Sequence, residues 1–356
     1  MTRGTNERIA DVRRLLEVAR EVYEDRANLA PALERATGLS PAGVALGFDS
    51  LEREASSDEL RALVASAGDA AHVHVILSAN VFVAPLRALA IARAASTRVS
   101  VQPSSRDPVL ARALVATLRD PGVTLAVGHD ASPASADRID VYGRDETVAK
   151  VRSTARAGVL VRGHGAGLGV AIVTAPASVE DAARALASDV VPFDQRGCLS
   201  PRIVFVEGPR ACGEVFADAL HEALAALARR VPRGDLTMTE RADSVRWRDT
   251  LAFAGRVQGG PHHVVAFGAR LPLAVPPSGR HVLVVSVENL GEVEAALAPI
   301  VRFVVTVGAN DPARLLLSGS GTRSGSPVVP AHARLARLGE MQRPPLDGPV
   351  DRRESV

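Results

Sequence analysis

The chain is short of several things, and each shortage removes a class of function. Its 356 residues contain two cysteines, Cys198 and Cys212, with no partner histidines nearby. That excludes a disulfide framework and a zinc-ligand spacing. A reducing cytoplasm fits such thiol usage, and a cytoplasmic protein is the expectation. Aromatic residues make up only 3% of the chain, so any apolar ligand channel must be walled by Ala, Val, Leu and Ile. No run approaches the ~18 apolar residues needed to span a bilayer. Met1 to Arg13 is polar and charged, without the apolar core of a signal peptide. Neither sign of charge is massed: Lys plus Arg number 42 against 40 for Asp plus Glu. Balanced charge argues against a nucleic-acid or anionic-membrane surface as the main business. A Walker A sequence is absent. The glycine cluster Gly163-His164-Gly165-Ala166-Gly167-Leu168-Gly169 does not meet the G-x-G-x-x-G spacing from either start.

What is present is a large apolar fraction, 47% of residues, enough for a real core and about two domains. Residues 1 to about 70 read as helices, with Ile9, Val12, Leu15, Leu16 and Val18 near a 3.6 period and Leu60, Leu63 and Val64 repeating it. From His72 short β-branched runs alternate with Ala/Leu-rich helices. Strands are expected at Val73–Leu77, Arg98–Gln102, Val123–Val127 and Arg138–Tyr142, and helices at Pro85–Ala95 and Val109–Leu118. That alternation predicts a parallel α/β sheet, whose ligands bind at the carboxyl ends of the strands. Three such loops carry small polar residues: Ser78–Asn80, Pro103–Ser105 and Gly143–Arg144. The first part of the chain therefore reads as a nucleotide domain. A second α/β stretch begins near Pro176, with helices at Val179–Leu186 and Gly213–Arg230. Its strands are expected at Ile203–Val206, Val264–Phe267, His281–Ser286 and Val301–Val307. Residues 318 to 326 are a low-complexity connection, and Gln342 to Val356 an extended or disordered tail.

Cys198 stands in the small-residue turn Phe193-Asp194-Gln195-Arg196-Gly197-Cys198-Leu199-Ser200-Pro201, just ahead of a buried strand. A thiol beside a glycine at a strand mouth suits thioester chemistry, where the sulfur must be reachable and unhindered. A small buried apolar residue is the other reading of a cysteine in that position. The glycine cluster lies between two strands and reads as a tight turn that lets another segment or a ligand approach closely. His164 within it is either a base or part of the turn. Ser104 and Ser105 either bind phosphate or ribose at a helix start, or the segment is an ordinary N-cap with Asp107 or Ser105 capping the free amides. His72 and His74 alternate on one strand face without a third ligand, which gives no metal site. His262-His263 beside Pro261 reads as surface loop.

Taken in order, Asn80, Gln102-Pro103-Ser104-Ser105-Arg106-Asp107-Pro108, Val141 to Thr147, the 163–169 turn, Asp194-Gln195-x-x-Cys198-x-Ser200-Pro201 and Gly339-Glu340-Met341-Gln342 form a pattern. It resembles the aldehyde dehydrogenase superfamily, and more closely the acyl-CoA reductase family of bacterial bioluminescence (LuxC-like), over roughly residues 70 to 345. The resemblance implies an α/β fold with a Rossmann-type dinucleotide domain and an α/β catalytic domain. It divides the chain into an N-terminal helical segment (1–70), a dinucleotide-binding domain (71–176), a catalytic domain (177–316) and a flexible connection with C-terminal tail (317–356).

By that resemblance Cys198 is the nucleophile that takes the acyl group as a thioester. Asn80, with the Cys198 N–H, is the holder of the oxyanion. Gln102, Ser104, Ser105, Gly143 and Arg144 lie in the loops that cradle the cofactor, NADPH. The substrate implied is acyl-CoA, fatty-acyl above all, or another activated acyl donor. An acyl-transfer partner protein and a homo-oligomer are the partners it allows. Two departures follow. Oxidative aldehyde dehydrogenases have a water-activating glutamate in the turn that here holds His164, so reduction is favoured over hydrolysis and His164 becomes a candidate acid or base. Gln102 stands where the superfamily commonly has a ribose-binding lysine, and no second, ribose-contacting glutamate is found. An oxidative aldehyde dehydrogenase and a catalytically degenerate acyl-binding protein of the same fold are the alternatives.

Overall fold

A computed structural model describes residues 3–52, 54–126, 135–175, 177–268, 274–318 and 328–353. Their contacts divide the chain into two units: Met1–Ala166 with Pro345–Pro349, and Gly167–Pro344 with Val350–Glu354. Val127, Pro176 and residues 319–326 of the low-complexity run lie outside the described residues.

The first unit opens with helices α1 (Thr5–Glu24), α2 (Arg26–Thr37), α3 (Pro41–Phe48) and α4 (Ser57–Ala67). Ile9, Val12, Leu15, Val18, Ala19 and Val22 recur every three or four positions and form the buried stripe of α1, as an amphipathic helix on a core requires. Local signals set the other ends. Ser40 and Ser56 accept the Gly43 and Glu59 N–H groups as N-caps, and α2 stops at Gly38 with φ 69°, the left-handed stop glycine permits. The chain then alternates: β1 (Val73–Ile76), α5 (Ala84–Ala95), β2 (Val99–Gln102), α6 (Val109–Leu118), β3 (Val123–Leu125), β4 (Arg138–Tyr142), α7 (Asp145–Thr154), β5 (Leu160–His164). All five strands run parallel, in the order β3-β2-β1-β4-β5. The order reverses between β1 and β4, the place at which sheets of this kind bind ligands outside the carboxyl ends of their strands. Ile76 is in register with Gln102 on one side and Val141 on the other, and Tyr142 with His164.

The second unit continues with β6 (Leu168–Val173), α8 (Val179–Val190), β7 (Pro201–Glu207), α9 (Arg210–Ala228), α10 (Met238–Ala254), β8 (Gly255–Gly260) and β9 (His263–Gly268). It finishes with β10 (His281–Val287), α11 (Leu290–Leu297), β11 (Val304–Ala309), α12 (Pro312–Ser318) and β12 (Arg334–Arg337). Its seven-stranded sheet has the order β12-β11-β6-β7-β10-β9-β8, parallel except for the β8–β9 hairpin. Strands inside such a sheet are covered on both faces and read as unbroken apolar runs. Every residue of His281-Val-Leu-Val-Val-Ser-Val287 is buried. His263 corrects the expectation of a surface loop at 262–263. It is the first residue of β9, 1% exposed, and its Nε2 hydrogen-bonds to His221 Nδ1 of α9 at 3.0 Å.

After β12 the described residues form no further helix or strand, but they are tied down. Arg87 donates to the Pro345 and Gly348 carbonyls at 2.9 and 2.8 Å, and the Leu346 N–H donates to Glu59 at 3.1 Å. No helix among the described residues is long and apolar enough to cross a membrane.

Candidate active site

In the second unit, α8 ends at Val190 and a short 3-10 turn, Pro192–Gln195, leads to the cysteine. Phe193, Asp194 and Gln195 have φ of 54°, 50° and 63°. Left-handed backbone costs a residue with a side chain about 1–2 kcal/mol, so three in succession persist only where the surroundings fix them. Asp194 is held by Arg280, whose Nε and Nη2 lie 3.0 and 2.7 Å from Oδ1; both side chains are 1% exposed. The Gly234 N–H donates to the other carboxylate oxygen at 3.0 Å, and the Gly279 N–H to the Asp194 carbonyl at 2.9 Å. Gln195 is held at three points. Its Nε2 donates to the carbonyls of Pro201 (2.7 Å) and His281 (2.8 Å), and its Oε1 accepts the His281 N–H (2.7 Å). The adjacent Asp and Gln of the sequence pattern are thus the anchors of a strained turn.

That turn delivers Arg196, Gly197 and Cys198. Arg196 pairs with Glu240 at 3.0 Å, the residue that closes the capping box of α10. Cys198 is half-buried, and Cys212 is exposed. Ser200 fixes the exit: its N–H donates to Gly197 and its carbonyl accepts the Gly169 N–H, at 3.2 and 2.9 Å. The glycines of the 163–169 turn have a clear purpose here. A Cβ on Gly167 would lie 2.4 Å from Val305 Cγ2 and 3.3 Å from Cys198 Cβ; one on Gly169 would lie 2.4 Å from the Leu199 carbonyl oxygen. The close approach read from the sequence is therefore that of the cysteine segment itself.

A second brace comes from far along the chain. Asp189, fully buried in α8, accepts the N–H groups of Gly339 (2.6 Å) and Met341 (2.9 Å). Gln342 Nε2 donates to the Asp189 carbonyl at 3.0 Å and to Ser200 Oγ at 3.3 Å. Burial pushes the Asp189 carboxyl up to about 7, against the pull of those N–H donors. The Gly339–Gln342 segment is in this way a clasp on the base of the cysteine loop. Asp189 and Arg280 were not singled out from the sequence. Their only signals are an acid inside the Ala-rich face of α8 and an arginine directly ahead of an apolar strand.

The other candidate residues all lie in the first unit, at the carboxyl edge of its sheet. Asn80 is exposed in the loop after β1. Gln102 ends β2, and its Oε1 is buried with no hydrogen-bond partner among the described residues. Ser104 Oγ accepts the Arg106 N–H at 3.3 Å and Ser105 is exposed. Neither Ser105 nor Asp107 is the N-cap of α6, which is Pro108 without a side-chain cap; Asp107 accepts the Val109 N–H at 3.4 Å, and burial raises its carboxyl. Gly143 donates its N–H to the His164 carbonyl at 3.1 Å. Arg144, exposed, is the extended residue at the start of α7. The half-buried His164 ring stacks on Tyr142, centroids 4.4 Å apart and planes 15° apart. Asp145 accepts the Ala166 N–H at 2.8 Å and fills the space where a Gly165 Cβ would stand. Among the described residues no group of three or more His, Cys, Asp or Glu is arranged to hold a metal ion.

This two-sheet architecture is that of the aldehyde dehydrogenases. A NAD-dependent benzaldehyde dehydrogenase from Corynebacterium glutamicum superposes with a TM-score of 0.69 at 16% identity, over 95% of this chain and 82% of that one. An NADP-dependent glyceraldehyde-3-phosphate dehydrogenase from Bacillus halodurans C-125, complexed with NADP, gives 0.65 at 15% identity, over 94% and 79%. Aldehyde dehydrogenase C from Pseudomonas syringae, a variant complexed with NAD+ and octanal, gives 0.67 at 15%, over 94% and 77%. No curated protein matches the sequence. The acyl-CoA reductase (LuxC) family matches residues 49–332, most of the chain, and the protein belongs to that family. Membership supports an oxidoreductase activity on acyl or aldehyde substrates.

Proposed function

We propose that the protein reduces an activated acyl group, an acyl-CoA or fatty-acyl thioester, to the aldehyde through an acyl-cysteine at Cys198, with NADPH as reductant. The observation that carries this reading is the cysteine loop: a half-buried thiol on a strained turn, anchored by Asp194, Gln195 and Ser200 over glycines that leave room for it. A turn so heavily braced is what a nucleophile needs to hold its sulfur at a fixed position. The Cys198 sulfur attacks the thioester carbonyl, the C–S bond to the donor breaks, and the donor leaves as its thiol. Asn80 and the Cys198 N–H are assigned the developing oxyanion. Bound NADPH would supply the hydride; the Cys198 sulfur then leaves the carbonyl carbon and regains a proton. His164 is assigned the acid–base role.

The residues fit a dinucleotide on one observation. Gln102 offers a buried acceptor without a partner among the described residues at the carboxyl end of β2, the neighbour of β1, beyond which the strand order reverses. Such an acceptor, with Ser104, Ser105, Gly143 and Arg144 on the same sheet edge, suits ribose hydroxyls and phosphate. The absence of a glutamate in the 163–169 turn favours reduction, because the carboxylate that activates water in the oxidative enzymes is missing there.

NADPH oxidation with a panel of acyl-CoA thioesters tests the proposal. Turnover that vanishes in Cys198→Ser supports it. Covalent labelling of Cys198 without turnover would favour an acyl-binding protein, and NAD reduction by free aldehydes without CoA an oxidative dehydrogenase. His164→Ala is expected to slow turnover by about 10²-fold or more; an unchanged rate returns His164 to the turn.

A further inference from the structure

We infer that Tyr142 is the positioning residue of His164: its ring is the flat support that holds the imidazole in one orientation. The inference deepens the function proposed above and rests on the acid–base role given there to His164.

Tyr142 closes β4 and His164 closes β5, and the register of the two parallel strands sets them opposite one another. Paired residues of a parallel ladder point to the same face of the sheet, so the two rings meet. Their centroids lie 4.4 Å apart, with planes 15° from parallel. The loop that follows Tyr142 serves the same segment. The Gly143 N–H donates to the His164 carbonyl at 3.1 Å, and the Asp145 carboxylate accepts the Ala166 N–H at 2.8 Å. Gly165 is required by that packing, since a Cβ there would collide with Asp145 Oδ1. Residues 142–145 thus grip residues 164–166 by backbone and by ring.

The backbone bonds fix where the His164 Cα stands, not where its ring nitrogens point. The terminal torsion of a histidine has broad, roughly two-fold wells, and a half-buried ring at a strand end would swing between them unless one face is blocked. A stacked aromatic neighbour supplies that block and favours the stacked orientation by about 2- to 10-fold. A general acid or base must bring a nitrogen within hydrogen-bond reach of the reacting group, so orientation enters the rate directly. The hydroxyl of Tyr142 has no part in this. It is buried without a hydrogen-bond partner among the described residues. Burial pushes it above the ordinary phenol range, so it stays protonated and neutral. The working part of residue 142 is its ring.

The test reads the His164 ring by NMR of protein carrying isotope-labelled histidine, with its peak assigned by its loss in His164→Ala, beside steady-state kinetics. The ring current of Tyr142 is expected to hold that peak upfield of an unstacked histidine. Tyr142→Phe, which keeps the ring, should leave both the peak and kcat close to the parent. Tyr142→Leu should move the peak downfield and lower kcat by about 2- to 10-fold with KM unchanged, and should cost nothing further in a His164→Ala background. A peak that stays in place in a folded Tyr142→Leu protein overturns the inference. So does a loss of kcat in Tyr142→Phe, which would make the hydroxyl the working group, and so does an equal loss from Tyr142→Leu with and without His164. If the peak follows the ring but no acyl thioester is turned over, the stack stands as the support of His164 and the reductase reading falls. If NADPH-dependent turnover is found and the peak ignores the ring, the reductase reading stands and the inference falls.

Discussion

Replacing Asp194 with asparagine tests whether the cysteine turn is held by charge or by shape. Asparagine has nearly the volume of aspartate, tolerates left-handed backbone, and still offers an oxygen to the Gly234 N–H. What it removes is the negative charge facing Arg280, in a pair whose side chains are each 1% exposed. Arg280 keeps its bonds to the Val231 and Pro232 carbonyls at 2.7 and 3.4 Å, but neither neutralises it. Breaking a buried pair in this way costs about 3–5 kcal/mol, most of it the stranded charge. For a unit of this size each kcal/mol lowers the melting temperature by about 2–4 °C, so a fall of about 10 °C is expected. Differential scanning calorimetry should place the fall in the transition of the second unit, with the first unit unaffected. The double variant Asp194→Asn/Arg280→Met removes both charges and should recover much of the loss. A fall under about 2 °C in the single variant, or no recovery in the double, would refute the idea that this ion pair holds the turn.

Three further outcomes follow from the same geometry. The folded-state carboxyl of Asp189 sits at about 7 against an ordinary 3.8, so its contribution to stability is greatest below about pH 4 and declines as pH rises through 7; Asp189→Asn should flatten that decline in urea unfolding measured at pH 5 and pH 8, and a decline as steep as the parent's would count against it. Gly169→Ala forces a methyl to within 2.4 Å of the Leu199 carbonyl oxygen and is expected to destabilise by about 1–3 kcal/mol and to change the rate of Cys198 alkylation; unchanged labelling would show that the glycine does not support the loop. Tyr142 carries a buried hydroxyl without a hydrogen-bond partner among the described residues, so Tyr142→Phe should leave stability within about 1 kcal/mol of the parent or raise it; a clear loss would reveal a partner for that hydroxyl.

The parallel sheets were legible because their strands are covered on both faces and therefore appear as apolar runs. Val73–Ile76, Val99–Gln102, Arg138–Tyr142 and His281–Val287 fall at or within one residue of the expected spans. Helix α10 was not legible. It buries only Trp247 and Leu251 and leaves Met238, Val245 and Phe253 exposed, so no apolar period announces it. The glycine-rich β8, an edge strand, gives no alternation either. His263 misled because burying a histidine at a strand start depends on His221, a residue distant in sequence that no local pattern reveals. At the candidate site the cysteine, its glycines and the Asp-Gln pair stood out as residue types, but their mechanical roles did not. The left-handed turn at 193–195 and the clasp of Asp189 by Gly339 and Met341 are both long-range facts, fixed by which backbone groups the fold brings together.

The clasp has a consequence for how the protein comes into being. Gln342 and the two amides that grip Asp189 are made about 140 residues after the thiol they steady. During synthesis Cys198 and the whole of its sheet emerge first, and the loop that carries the sulfur lacks this second brace until position 342 has cleared the ribosome. That brace is therefore a late acquisition of the nascent chain, and a protein cut short after Arg337 would lack the hydrogen bonds that residues 339–342 make to Asp189 and Ser200.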